Sequence, residues 1–116
     1  MCIIVAVTDT AEGTHALHEA VSEAQRFDTD LVAVNLALTK LDLSQIETDV
    51  PITVVDRTGR DERDPADAVL HEIEHRHPSR LVVGVRRRSA VGKAVLGSVS
   101  QRLILQSPIP VLAVKI

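Results

Sequence analysis

Short, largely apolar runs recur along this chain, and they restrict its fold more than any other feature. They are Cys2–Val7, Leu31–Leu38, Ile52–Val55, Arg80–Val85 and Ile109–Ile116. A strand with one solvent-exposed face alternates apolar and polar residues, whereas a strand buried on both faces is apolar throughout. The runs therefore predict an open parallel sheet of five strands with helices on both faces, an α/β fold.

Helix signals lie between these runs. In residues 12–27, apolar side chains recur at helical spacing from Leu17 to Ala24. Asp64 followed by Pro65 is typical of an N-cap and the first residue of a helix. A third helix is predicted at Ser98–Gln106.

The segment between the second and third strands is the least regular. Residues 39–50 are polar with scattered leucines, and they are just long enough for a short crossover, helical or not. A chain of 116 residues has the size of one domain, so we expect a single domain over residues 1–116.

Composition limits the partners. The formal net charge is −3 and Phe27 is the single aromatic residue. Nucleic-acid binders usually present a basic surface, and single-strand binders stack bases on aromatic rings, so we expect no nucleic-acid partner. Cys2 is the single cysteine, which excludes an internal disulfide, and no apolar run approaches the ~18 residues of a membrane span. We expect a cytoplasmic protein with no membrane partner.

The stretch from Gly84 to Ser98 carries the main candidate chemistry. It leaves the fourth strand at the sheet edge where α/β proteins bind ligands, and it opens the last helix. Backbone N–H groups at a helix start suit phosphate, and glycines permit close approach. The stretch predicts an anionic ligand, a nucleotide, with Gly97, Ser98 and Ser100 at the phosphate and Lys93 or an arginine supplying positive charge.

Asp9 follows the first strand at the same edge. Its carboxylate can accept a hydrogen bond from a ligand amine or hydroxyl, or it can cap the first helix. The stretch Thr8–Thr14 also loosely resembles the phosphate loop of flavodoxins, but the chain lacks the aromatic residues that usually enclose a flavin.

Two other motifs do not fit their usual chemistry. Gly92-Lys93 resembles a Walker A loop, but Arg87 stands where a glycine is required and Ala94 where a Ser or Thr would bind magnesium. His71 and His75 complete an H-E-x-x-H pattern, yet helical spacing turns both towards solvent, and no third zinc ligand is evident.

Three parts of the chain together resemble the universal stress protein family. They are the end of the first strand at Val7–Thr10, the helix start at Asp64–Ala66, and the fourth strand, Leu81–Val83, running into Gly84. The stretch Leu96–Val114 is particularly similar to the family. The family usually has a longer helix where residues 39–50 lie.

ATP-binding members of that family carry Gly-x2-Gly-x9-Gly followed by Ser or Thr. This chain has Gly84, Gly97 and Ser98 at matching positions, with Arg87 in place of the middle glycine. Arginine there can clamp a phosphate or fill the site. If it fills the site, the chain is a stress-response interaction module that binds no nucleotide.

The resemblance implies strand order 3-2-1-4-5 and an adenine nucleotide (ATP, ADP or AMP) with Mg²⁺ bridging the phosphates. Asp9 and the backbone around Val34 would hold adenine and ribose, and the glycine-rich end would hold ribose and phosphates. The full set of candidate ligand-binding residues is Val7, Thr8, Asp9, Val34, Val83, Gly84, Arg86, Arg87, Lys93, Gly97, Ser98, Val99 and Ser100.

The family commonly forms homodimers through its last strand, which the resemblance places at a sheet edge, so we expect a homodimer through residues 109–116. No side chain near the phosphate loop is an evident general base or nucleophile. Catalysis is therefore not implied; slow hydrolysis stays open, with no residue assigned to it.

Overall fold

The computed structural model describes residues 1–56, 64–87, 94–95 and 97–116. Its elements along the chain are β1 (Cys2–Val7), α1 (Ala11–Arg26), β2 (Asp30–Asn35), β3 (Ile52–Asp56), α2 (Pro65–Arg76), β4 (Arg80–Arg87), β5 (Ala94–Val95), α3 (Ser98–Gln106) and β6 (Val111–Lys115). The parallel strands lie in the order β3-β2-β1-β4-β6. Counting only parallel strands, this is 3-2-1-4-5, so the predicted fold is confirmed. The two-residue β5, antiparallel to the end of β4, was not predicted.

The sheet is covered on both faces, as the continuous apolar runs predicted. Successive side chains of β1 point to opposite faces. Val5 packs with Ala20 of α1 on one face. Ile4 packs with Val69 of α2 and Leu103 of α3 on the other. Each face of the sheet therefore buries its own apolar cluster.

Local interactions set the bounds of α2, and its start at Asp64–Pro65 is as predicted. The Asp64 carboxylate accepts a hydrogen bond from the N–H of Ala66 at 2.9 Å, and Pro65 is the first helical residue. At the other end His77 has φ 50°, and its N–H bonds to the carbonyl of Ile73 at 3.0 Å. A left-handed residue of this kind ends a helix.

Strand β2 is shorter than its apolar run predicted. The run continues to Leu38, but β2 ends at Asn35 and Leu38 is exposed. The Asn35 side chain accepts from the N–H of Ala37 at 3.1 Å and donates to the carbonyl of Thr39 at 2.8 Å. These bonds turn the chain away from the sheet, so the prediction of strand beyond Asn35 was wrong.

Residues 36–51 cross from β2 to β3 without a helix. Their apolar side chains still cover the sheet beside α1, in the place where a helix would pack. The ones that contact that apolar cluster are Leu41, Leu43, Ile46 and Val50.

Two glycines allow α1 to lie directly against the central strands. A Cβ atom on Gly84 of β4 would lie 2.2 Å from the carbonyl oxygen of Glu12. A Cβ atom on Gly13 would lie 2.1 Å from the carbonyl oxygen of Thr8. Both distances are far shorter than van der Waals contact. The first turn of α1 is thus fixed at the carboxyl ends of β1 and β4.

We predict that Gly84→Ala destabilises the protein by about 1–3 kcal/mol, because the new methyl group forces α1 away from β4. Equilibrium urea unfolding measures the change. Gly97→Ser is the matched control: a Cβ there meets no atom within 4 Å, φ is −64° and serine is a favourable N-cap residue, so we expect a change within about 0.5 kcal/mol. Equal effects of the two substitutions would contradict the close approach.

Candidate functional site

A cleft opens where the order of the sheet reverses. From β1 the chain proceeds through β2 and β3 to one edge, and from β4 it proceeds to β6 at the other. Open α/β sheets bind ligands at the carboxyl ends of strands at such a point. The cleft has a volume of about 380 Å³ and is lined by Thr8, Thr10, Glu12, Gly84, Arg86, Gly97, Ser98, Val99 and Ser100.

The first turn of α3 brings backbone donors to this cleft. The N–H of Gln101 is the first to bond within the helix, to the carbonyl of Gly97 at 2.9 Å. The amides of Ser98, Val99 and Ser100 precede it and have no partner within α3. This turn contains no acidic residue, so the positive end of the helix dipole is available to an anion.

The glycine and serine residues of the cleft differ in what they can offer a ligand. The Ser100 hydroxyl donates to the carbonyl of Gly84 at 3.0 Å, so it joins α3 to β4. The proton of this hydroxyl is therefore used within the fold, and Ser100, predicted at the phosphate, lines the cleft. Gly84 is required by the backbone of α1, but Gly97 borders open space.

An ion pair crosses the cleft between α1 and β4. Gly84 and Arg86 lie two residues apart and so face the same side of the sheet. With the backbone of Glu12 resting on Gly84, the Glu12 carboxylate reaches the Nε of Arg86. The Glu12 side chain is only 12% exposed and that of Arg86 is 59% exposed.

Neighbouring donors stabilise the charged form of Glu12. Hydrogen bonds from the Thr10 side chain and from its own backbone lower the pKa of Glu12, and Arg86 lowers it further, whereas partial burial acts in the opposite direction. The hydroxyls of Thr8 and Thr10 lie 2.8 Å apart, which extends this network towards the end of β1.

A second cleft of about 310 Å³ adjoins the first, because Thr8 and Thr10 line both. Asp9 is exposed and lines this second cleft, with Asn35 at the end of β2. Asn35 is buried, and its amide donates to Asp56 at 3.1 Å as well as holding the turn after β2. The two clefts together run along the carboxyl edge of the sheet.

The structure places most of the predicted site residues on these clefts. Thr8, Gly84, Arg86, Gly97, Ser98, Val99 and Ser100 line the first, and Val7, Thr8 and Asp9 line the second. Val34 and Val83 are buried inside the sheet and line neither cleft. Lys93 and the side chain of Arg87 lie outside the described residues.

Sequence reasoning missed three polar residues of the site. Thr10 and Glu12 follow the first strand, and their place in the first turn of a helix at the ligand edge was the available signal. Asn35 was the only polar residue in an otherwise apolar strand end. A buried polar side chain in such a run usually holds a turn or a partner through hydrogen bonds.

The H-E-x-x-H motif lies on α2, away from both clefts. His75 is exposed as predicted, whereas His71 is partly buried and its carbonyl lies 2.8 Å from Nδ1 of His75. Within the described ranges, no group of three or more His, Cys, Asp or Glu side chains is placed to hold a metal ion.

A larger cleft, of about 570 Å³, lies at the opposite edge of the sheet between the ends of α2 and α3. Leu70, Ile73, Pro78, Pro108 and Ile109 give it a largely apolar lining. It has neither a helix N-terminus nor a cation among the described residues that would suit a phosphate. Considering the described part of the chain, no helix is both long and apolar enough to cross a bilayer.

Comparisons of the sequence and of the structure with known proteins all indicate one family. Residues 37–115 match the model of the universal stress protein family. The chain is 30% identical to a universal stress protein from Mycolicibacterium smegmatis, over 97% of this chain and 96% of that one. A universal stress protein structure from Archaeoglobus fulgidus superposes with a TM-score of 0.76 at 22% identity, covering 99% and 98% of the two chains. A second structure from that organism, in complex with dAMP, has a TM-score of 0.69 at 19% identity and the same coverage.

The charge of Glu12 predicts how the stability of the fold depends on pH. Because its pKa in the folded protein lies below the ordinary 4.5, ionised Glu12 contributes stability that is fully present above pH 4.5 and is lost as pH falls through the lower folded value. Thr10→Val removes the main cause, and it removes no helix cap because the Thr10 side chain makes no cap bond. We expect the pKa of Glu12 to rise towards 4.5 in this variant.

Carboxyl ¹³C NMR titration measures that pKa directly, and urea unfolding between neutral and acid pH measures the linked stability. Stability lost on acidification should be smaller in Thr10→Val than in the unmodified protein. A pKa of Glu12 at or above 4.5 in the unmodified protein would contradict the network.

Proposed function

This chain belongs to the universal stress protein family, and we propose that it is a stress-response regulatory domain that binds an adenine nucleotide, ATP, ADP or AMP, at the carboxyl edge of its sheet. The observation that carries the proposal is the cleft between β1 and β4, where the open N-terminus of α3 and the guanidinium of Arg86 line one space. The dAMP complex of a structural relative supports an adenine nucleotide as the ligand class.

The phosphate end of the ligand is proposed to lie at the start of α3. The amides of Ser98, Val99 and Ser100 supply the donors, and Gly97 leaves room for the phosphate because nothing occupies the direction of its missing Cβ. Arg86 is more than half exposed and donates only Nε to Glu12, so its terminal nitrogens can reach an anion.

The base and ribose are proposed to extend into the adjoining cleft. Asp9 is exposed there and its carboxylate can accept from a hydroxyl or an amine. Because Val34 and Val83 are buried, they act as the floor beneath the strand ends rather than as direct contacts.

Mg²⁺ is proposed to arrive with the nucleotide. This ion is usually held by substrate phosphates, waters and one or two carboxylates rather than by a complete protein cage. The chemistry supported here is binding; we assign no residue to hydrolysis.

We predict that Gly97→Asp strongly weakens nucleotide binding without loss of stability. Aspartate is a favourable N-cap residue, so its carboxylate takes the amides at the start of α3, and its charge repels phosphate. Losing charge-assisted hydrogen bonds should weaken binding by about ten-fold or more. Calorimetric titration of nucleotide-stripped protein with ATP and AMP, with and without Mg²⁺, measures the effect.

Ser22→Asp is the matched control, because Ser22 is exposed on α1 and does not line either cleft. It adds the same charge and should bind nucleotide as the unmodified protein does. If the unmodified protein gives no binding heat even at millimolar nucleotide, the proposal fails. The alternative would then be an interaction module of the same fold, with Arg87 in place of a glycine.

We also propose that the chain forms a homodimer through residues 109–116. β6 pairs with β4 along one side, with Leu81 opposite Val111 and Val85 opposite Lys115. The carbonyl of Pro110 and the N–H of Ile116 bond to β4. Alternation along a strand then directs the odd-numbered N–H groups, including that of Ala113, to the outer edge. An apolar edge of this kind favours pairing with a second strand.

We predict that Ala113→Pro gives a folded monomer, because it removes an outward N–H and leaves the bonds to β4 in place. Leu112→Pro removes an inward N–H and should instead destabilise the fold. Sedimentation velocity at several concentrations, with circular dichroism, distinguishes the two variants. A concentration-independent monomer mass for the unmodified chain would contradict the dimer.

A further inference from the structure

We propose that Glu12 is a specificity-determining residue that makes this cleft favour a nucleoside monophosphate over the triphosphate. The proposal rests on the proposed nucleotide function and narrows it. Among the described residues that line the cleft, Glu12 and Arg86 are the ionisable ones, and they form an ion pair with each other. The two side chains together present no net charge to the ligand.

Glu12 is fixed in this position from two sides. Its backbone rests on Gly84, and Arg86 donates to Oε1 of its carboxylate. With 12% of its side chain exposed, the carboxylate cannot swing far from the cleft when an anion enters. A permanent negative charge therefore borders the space in which phosphates would lie.

Binding of one phosphate remains favourable beside this charge. A single phosphate can use the amides at the start of α3 and the guanidinium nitrogens of Arg86 that Glu12 leaves available. Each further phosphate adds negative charge within the same cleft of about 380 Å³ without adding a cation from its described lining. Repulsion by Glu12 thus increases with the number of phosphates and offsets the attraction to Arg86, so the pair gives the further phosphates no net stabilisation.

The test is the ratio of the dissociation constants for ATP and AMP, measured by calorimetry in Mg²⁺-free buffer of low ionic strength. Within one protein this ratio cancels contributions that are common to both nucleotides. Glu12→Gln keeps the size and a hydrogen-bond acceptor but removes the charge. Because ATP carries about two more negative charges than AMP, the substitution should lower the ratio by about five-fold. Added salt should reduce that difference.

Two variants provide the controls. Glu19→Gln makes the same change on an exposed position of the same helix outside the cleft, and it should leave the ratio unchanged. Glu12→Asp keeps the charge but shortens the reach to Arg86, so it should keep the ratio of the unmodified protein. If Glu12→Asp lowers the ratio as much as Glu12→Gln does, Glu12 acts only by holding Arg86 and the proposal is overturned.

The remaining outcomes distinguish the charge selection by Glu12 from nucleotide binding itself. If the unmodified protein and Glu12→Gln both bind nucleotides with the same ratio, the charge selection is wrong and the nucleotide site stands. If neither protein binds ATP or AMP, the nucleotide site is wrong and the charge selection falls with it. Circular dichroism melting curves of all variants confirm that each is folded during the titrations.

Discussion

The close approach of α1 to β4 is the constraint on which the site depends. The carbonyl of Glu12 occupies the direction in which a side chain at position 84 would extend, so only glycine there lets the helix lie flat across the central strands. The contact of Gly13 with Thr8 fixes the same turn against β1. Together they place the start of α1 at the point where the sheet order reverses. The wall of the cleft is thus a consequence of packing.

Two helix N-termini meet at this cleft, and they differ in how their positive ends are satisfied. The first turn of α1 contains Glu12, whose carboxylate complements the dipole of its own helix. The first turn of α3 contains only Ser98, Val99, Ser100 and an uncharged glutamine, so an external anion can take that role. The asymmetry explains why an anion is expected at α3, although both helices begin at the same edge.

Most of the fold could be predicted from local signals, but the partners within the site could not. Continuous apolar runs and the Asp64–Pro65 start define elements that depend on neighbours in sequence. The end of β2 was not predicted, because the apolar run continues beyond Asn35. The strand ends there since the Asn35 side chain forms hydrogen bonds that turn the backbone. The pairing of Glu12 with Arg86 joins residues far apart in sequence, so it appears only once the register of α1 on β4 is known.

The side of β4 that faces α1 carries two Glu–Arg pairs, one inside the fold and one at the cleft. Arg80, Val82, Gly84 and Arg86 alternate onto this face. At its lower end Arg80 bonds to Glu23 at 3.1 Å, and the Glu23 side chain is nearly buried, which is typical of a structural ion pair. At the upper end the second pair, Glu12 and Arg86, lines the cleft, and the arginine side chain is largely exposed. Arg86 is thus the arginine available to the proposed ligand, and the Arg80–Glu23 pair holds α1 against β4 at the other end of the same face.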